Sequence, residues 1–335
     1  MPRAMGHLAG WLDNLYFNWK NKVHPGRSLL FEEGWGSDAC IEAVSHRFLH
    51  PGTAYPIDVR WKSSWQQLNR HHVRDGCFRS PCFEEHLPAE SVCVNFRMIL
   101  PDRHATCPVV LHPATTREDN YRSRQVTAMA LANRGIGTIL MEGPFRGSRR
   151  PDYQRSANLA KFSDFFLLCG AAIEESRSLL QWFYGEGYRK LGIAGISKGG
   201  YIASVAGIRS TMPLGIVTLV APHSGVPVFL EGLTQRMCHW QKMQSTCGDT
   251  PVRDKLRSAF AVTGLDAMAE PGTDKKMIII GAVNDRFVPP SSYETMNRHW
   301  KTIDFRWRSG GHVSNILDRD YFIRAICDVM AAQEA

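Results

Sequence analysis

The sequence predicts an α/β fold: a mostly parallel central sheet with helices on both faces and one lid-type insertion. Three observations carry this. From residue 109 onward, apolar runs too short for helices alternate with longer helix-periodic segments. The runs lack a polar face, as expected of strands covered on both sides. One of them, Leu191–Ile196, opens directly onto a helix-like segment through Gly195-Ile196-Ser197-Lys198-Gly199. Ligand chemistry in such a sheet belongs at the carboxyl ends of the strands.

The elements follow in order. Leu8, Trp11, Leu12, Leu15, Tyr16 and Trp19 recur at helical spacing and predict an amphipathic helix that ends before Pro25-Gly26. That stripe is expected to pack on the body of the domain. A peripheral membrane contact and an organelle-targeting segment are the alternatives. Residues 31–75 are irregular, so 1–75 read as an N-terminal extension and 76–335 as the main domain. Alternation over Glu90–Leu100 predicts a strand, with Val92, Val94, Phe96 and Met98 on one face. Val109–His112 is a short buried strand, followed by a helix at Ser123–Asn133. Gly137–Glu142 is a strand that stops at Gly143-Pro144. A long helix at Ser163–Tyr184 is ended by Gly185 and Gly187. Further strands follow at Leu191–Ile196, Gly215–Val220, Lys276–Gly281 and Asp304–Arg308, then a terminal helix at Tyr321–Ala332. Residues 222–270 break the alternation and read as the lid-type insertion.

Composition narrows the function classes. A chain of 335 residues buries a large core. No apolar run approaches the ~18 residues of a membrane helix, so no transmembrane segment is expected. Asp13, Asn14, Asn18 and Lys20 interrupt any secretory leader. Nine irregularly spaced cysteines predict a reduced, intracellular protein. Cys77 and Cys82 lie near His71, His72 and His86, but the spacing of a metal site is missing, and neither metal nor cofactor is expected. The net charge of +8 is scattered, with no lysine-rich tail or nucleic-acid module, so no nucleic-acid partner is expected. Oligomeric state is not legible.

G-x-S-x-G between a strand and a helix is the pattern of a nucleophile elbow, which presents its serine at the apex of a sharp turn. Average residue usage produces such a pentapeptide by chance in roughly one chain in ten of this length. Context must therefore carry the argument. A serine hydroxyl needs a base, and the base needs an orienting group. Asp285 follows the strand Lys276–Gly281. His312 follows the last strand, behind Gly310-Gly311. The order Ser197, Asp285, His312 is that of the α/β-hydrolases. The oxyanion donors expected are the backbone N–H of Lys198 and one from Ala114 or Thr115; Pro113 has none. The Lys198 side chain is expected to point away along its helix. Arg117, Arg122, Arg146, Arg149 and Arg150 lie on two loops at the same sheet edge. Arg146, Arg149 and Arg150 are the candidates for binding a carboxylate or phosphate on the substrate.

Several stretches make the pattern more specific: Leu191–Ala206, Met212-Pro213-Leu214, Ser224-Gly225-Val226, Glu186-Gly187-Tyr188, Glu142-Gly143-Pro144-Phe145 and Gly310–Ser314. From about residue 75 to the C-terminus the chain resembles the eukaryotic α/β-hydrolase domain-containing protein 18 family. The resemblance implies an α/β-hydrolase fold and a metal-free serine ester hydrolase using Ser197, Asp285 and His312. It also implies a small-molecule or lipid acyl ester as substrate, and an organelle such as the mitochondrion. Two departures stand out: Lys198 replaces a commoner methionine, and Pro113-Ala114-Thr115 replaces a glycine-bearing loop. A catalytically silent binding module is one alternative. An acyltransferase is another, although His299 and Asp304 have its H-x-x-x-x-D spacing only away from His312.

Overall fold

The computed structural model describes residues 10–19, 29–102 and 107–333. Among these, ten strands form one sheet: β1 (Arg60–Trp61), β2 (Gln66–Leu68), β3 (His71–Arg79), β4 (Cys93–Leu100), β5 (Val109–His112), β6 (Gly137–Met141), β7 (Leu191–Ile196), β8 (Leu214–Leu219), β9 (Lys275–Ala282) and β10 (Asp304–Arg308). The spatial order is β1-β3-β4-β6-β5-β7-β8-β9-β10, with β2 paired to β3. Strands β1 to β4 pair antiparallel, β4 meets β6 antiparallel, and the remaining six run parallel. β5 is flanked by β6 on one side and β7 on the other, so the winding direction reverses there. The crevice beyond the carboxyl ends of β5 and β7 is thus the expected place for a ligand.

Successive strand residues face opposite sides, and small residues let helices approach both. A Cβ added at Gly192 would meet Met330 of the helix Arg319–Ala331. The next residue, Ile193, packs instead beside Gly207 of the helix Lys198–Ile208. β5 to β8 are buried almost throughout, which explains their unbroken apolar runs. The 24-residue helix Phe162–Gly185 is also buried along most of its length, between the helices Asp38–Leu49 and Lys198–Ile208.

Two expectations change. The boundary expected between residues 75 and 76 falls inside β3, and the helix Asp38–Leu49 buries Ile41, Val44 and Phe48 in the common core. The described residues from 29 to 75 are therefore part of the domain rather than an appendage to it. The helix over 10–19 is present, but it is turned the other way. It buries Asp13 and Phe17 and leaves Trp11 and Trp19 more than half exposed, at 55% and 59%. Leu8 and Pro25-Gly26 lie outside the described residues. Between β8 and β9, the stretch 222–270 folds into helices including Gly225–Leu230, Trp240–Thr246 and Val252–Ala261. Among the described residues, no helix is long and apolar enough to cross a membrane.

Candidate active site

β7 runs into the helix Lys198–Ile208 through one residue, Ser197, whose φ of 54° and ψ of −124° are strained for a side chain. Only glycine allows the turn. A Cβ at Gly195 would lie 2.2 Å from the Gly199 carbonyl oxygen, and one at Gly200 would lie 2.7 Å from the Ala221 Cβ. The Ser197 N–H donates to the Leu219 carbonyl at 2.9 Å, which extends the β7–β8 ladder by one rung. The hydroxyl is left at the mouth of the crevice.

Three side chains from three strand ends form a chain there. Ser197 Oγ lies 3.0 Å from His312 Nε2, and His312 Nδ1 lies 2.7 Å from Asp285 Oδ2. Asp285 is fixed in turn. Its Oδ1 accepts the N–H groups of Phe287 and Val288, each at 2.8 Å, and its Oδ2 accepts the Tyr293 hydroxyl at 2.7 Å. With Asp285 on Nδ1, the neutral imidazole carries its proton there and offers Nε2 as acceptor to the serine. Burial opposes the imidazolium. The Asp285 charge and hydrogen bond, with the Asp13 charge, outweigh that and raise the His312 pKa above its ordinary value. This arrangement can abstract the Ser197 proton and return it to a leaving group.

The expected oxyanion donors fare differently. Lys198 is the first helical residue, and first-turn N–H groups have no intrahelical acceptor and sit at the positive end of the helix dipole. Thr115 lines the cavity, and its hydroxyl donates to the Ile196 carbonyl at 2.9 Å. However, its N–H donates to Glu118 Oε2 at 3.2 Å. Ala114 is buried behind the elbow, where its carbonyl would lie 3.3 Å from a Cβ at Gly199. The Thr115 N–H is thus already taken, and Ala114 is not among the residues that line the cavity.

The cavity is about 410 Å³ and largely apolar, with Phe165, Phe166, Phe229 and Phe260 forming one aromatic cluster along it. Ser197 and His312 open into it. Lys198 borders it as well. Its Nζ has no hydrogen-bond partner, and only 7% of the residue is exposed. Burial, reinforced by the nearby Arg146 charge, lowers its pKa to about 7.

The three candidate arginines separate. Arg146 lines the cavity and is buried, donating to the Ala157 carbonyl while its Nε has no partner. Burial lowers its pKa to about 10. Arg149 does not reach the cavity: it is wholly buried against Glu175, a carboxylate on the helix Phe162–Gly185. Arg150 is held by Asp119. A charged residue in a loop reads as solvent-facing, and a buried partner on a distant helix is invisible in sequence. Arg117 also lines the cavity, with its guanidinium on Asn158 Oδ1. Sequence reasoning missed Tyr293 and Asp13. It had a signal for Lys198 in the unusual residue after the serine.

Residues 28–269 and 250–332 match the family described as alpha/beta hydrolase domain containing 18. The match begins well before residue 75. Among solved structures, the chain is similar to acetyl xylan esterase 1 from Thermoanaerobacterium sp., at 11% identity and a TM-score of 0.58, covering 89% of this chain and 97% of that one. An acetyl xylan esterase from Paenibacillus sp. is similar at 12% identity and a TM-score of 0.54, covering 86% and 92%. The esterase Est22 is similar at 14% identity and a TM-score of 0.52, covering 94% and 96%. At these identities the likeness establishes the fold, which is that of the α/β-hydrolases.

Proposed function

The chain belongs to the alpha/beta hydrolase domain containing 18 family, and we propose that it is a serine hydrolase that cleaves a carboxylic acyl ester, small or lipid. One observation carries this reading: a strained serine at a strand–helix elbow, 3.0 Å from the histidine nitrogen that would take its proton, facing an apolar cavity. Ser197 Oγ attacks the ester carbonyl while His312 Nε2 accepts its proton. Asp285 holds the ring and stabilises the imidazolium. The Lys198 N–H steadies the developing oxyanion, a contribution typically worth about 3 kcal/mol of barrier. His312 then protonates the departing alcohol. Water, activated by the same imidazole, cleaves the acyl-enzyme and restores the serine. Thr115 becomes the second oxyanion donor when its N–H exchanges Glu118 for the oxyanion.

The aromatic walls favour an acyl chain. Lys198 and Arg146 both border the cavity, and the buried Lys198 Nζ and Arg146 Nε have no hydrogen-bond partner. That supports a substrate that brings its own carboxylate or phosphate.

A second reading, a binding module that retains the hydrogen-bonded chain but not turnover, is favoured by the Thr115–Glu118 bond. Labelling with a fluorophosphonate probe separates the two. Modification that disappears in Ser197→Ala supports the hydrolase. A folded wild type that does not react supports the binding module.

A further inference from the structure

Asp13 is the most completely enclosed acid near the site, with no solvent exposure, and it is not part of the Ser197–His312–Asp285 chain. Its Oδ2 accepts the His312 N–H at 2.9 Å and the Arg286 N–H at 3.0 Å; its Oδ1 accepts the Val313 N–H at 2.8 Å. These donors belong to the two loops that carry His312 and Asp285. A buried N–H left without an acceptor is costly, so a carboxylate taking three at once fixes both loops relative to each other. The rest of the 10–19 helix supports the same contact. A Cβ at Gly10 would sit 3.2 Å from Arg286 Nε and 3.5 Å from the Asn284 carbonyl. The Tyr16 ring meets Phe287 edge-on at 6.4 Å, and Phe287 in turn lies 5.4 Å from the His312 ring.

We infer that Asp13 is a positioning residue: the 10–19 helix is a strap whose buried carboxylate sets the His312 and Asp285 loops in register for attack by Ser197. The strap lies ahead of residue 28, where the family match begins, so it is a feature of this chain beyond the matched region. The inference rests on the proposed hydrolase for its catalytic consequence, but not for its structural one. Burial opposes a charge at Asp13 and raises its pKa, while the three backbone donors act in the other direction.

The test uses the full chain with Asp13→Ala, and with Asp13→Asn as the milder variant, which keeps one acceptor oxygen. Two readouts are taken. The first is the time course of fluorophosphonate labelling at Ser197, which separates end-point from rate constant. A positioning role predicts full labelling at the end-point with a rate constant about 10–100-fold lower, the scale of a slightly misplaced catalytic group. A purely structural role would instead lower the end-point, through unfolded protein, and leave the rate constant of the remainder unchanged. That result overturns the inference. The second readout is amide hydrogen exchange over 284–288 and 310–315. Faster exchange in both segments at once is expected of the variants; unchanged exchange in either segment overturns the strap. Because exchange needs no activity, it still decides the strap if wild type fails to label, an outcome that would instead count against the proposed hydrolase.

Discussion

Arg149 and Glu175, both without solvent exposure, are joined by two hydrogen bonds of 2.6 and 2.9 Å. The pair is further satisfied from outside. Arg149 also donates to the carbonyls of Ser91 and Glu142, and Glu175 accepts the Ser80 hydroxyl at 2.7 Å. The ion pair pins the loop after β6 to the long helix Phe162–Gly185.

Arg149→Ala leaves Glu175 as an unpaired buried charge, and breaking such a pair costs about 3–5 kcal/mol. The expected result is a large loss in denaturant or thermal unfolding with no change in preference between anionic and neutral esters. Altered preference without lost stability would place Arg149 at the substrate instead.

Asp285→Asn is expected to reduce fluorophosphonate labelling by about 10³–10⁴-fold while the protein remains folded. An amide in this position can accept from Phe287 and Val288, yet it favours the wrong imidazole tautomer, with the proton on Nε2. Labelling that falls less than tenfold would mean that Asp285 does not set the tautomer of His312.

Lys198→Met tests the unpaired ammonium. The folded pKa of about 7 lies below the ordinary value of 10.5, so between these values the unfolded chain binds more protons. Stability therefore rises with pH across this window in wild type. The methionine variant is expected to lose that slope and to be more stable near pH 7, by about 1–4 kcal/mol on the scale seen when buried charges are replaced by apolar groups. It should also hydrolyse anionic and neutral acyl esters with more similar kcat/KM values. Urea unfolding at pH 7 and pH 10, with paired ester assays, reads both effects. A variant less stable at pH 7 would show that an acid partner compensates the ammonium.

His312 must be unprotonated to accept the serine proton. Its raised pKa places the acid limb of the labelling rate above that of an ordinary histidine, with labelling lost as pH falls through it. The anions facing the ring are Asp285 and Asp13; both favour the imidazolium. Removing the charge in Asp13→Asn is expected to move the limb to lower pH. The stability linked to this histidine has the opposite trend: it is fully present below the unfolded pKa and is lost as pH rises through the folded value. A pH–rate profile whose limb stays in place in Asp13→Asn would exclude electrostatic contact between the two.

Much of the sheet and the elbow can be read from residue order, because the signals are local. Gly195 and Gly199 flank Ser197 for a steric reason, and β5 to β8 show buried periodicity because both faces are covered. Val109–His112, Leu191–Ile196 and Asp304–Arg308 coincide with the expected strands, three others differ by a residue at their ends, and the strand expected from Glu90 begins at Cys93. Asp285 and His312 are visible because they follow strands directly. Asp13 is not, since an acid between Leu12 and Asn14 on an amphipathic helix reads as the wet face. Its burial depends on donors about 300 residues away. The burial of Lys198 is equally non-local, since neighbours on its own helix do not announce it. Thr115 shows the same limit at finer scale, where Glu118 competes for an N–H that spacing alone would give to substrate.

The Asp13 contact also sets an order of events during biosynthesis. Its donors at 312 and 313 are made near the end of the chain. At roughly 5–20 residues per second, Asp13 waits about 15–60 s after its own synthesis before they exist. Until then the 10–19 helix has an acid on the side that will be buried, and water is its only available partner at those positions. Ser197 is thus translated well before His312, its hydrogen-bond partner, and before the donors that Asp13 clasps. A nascent chain can acquire β5 to β8 on the ribosome while Ser197 still lacks its histidine.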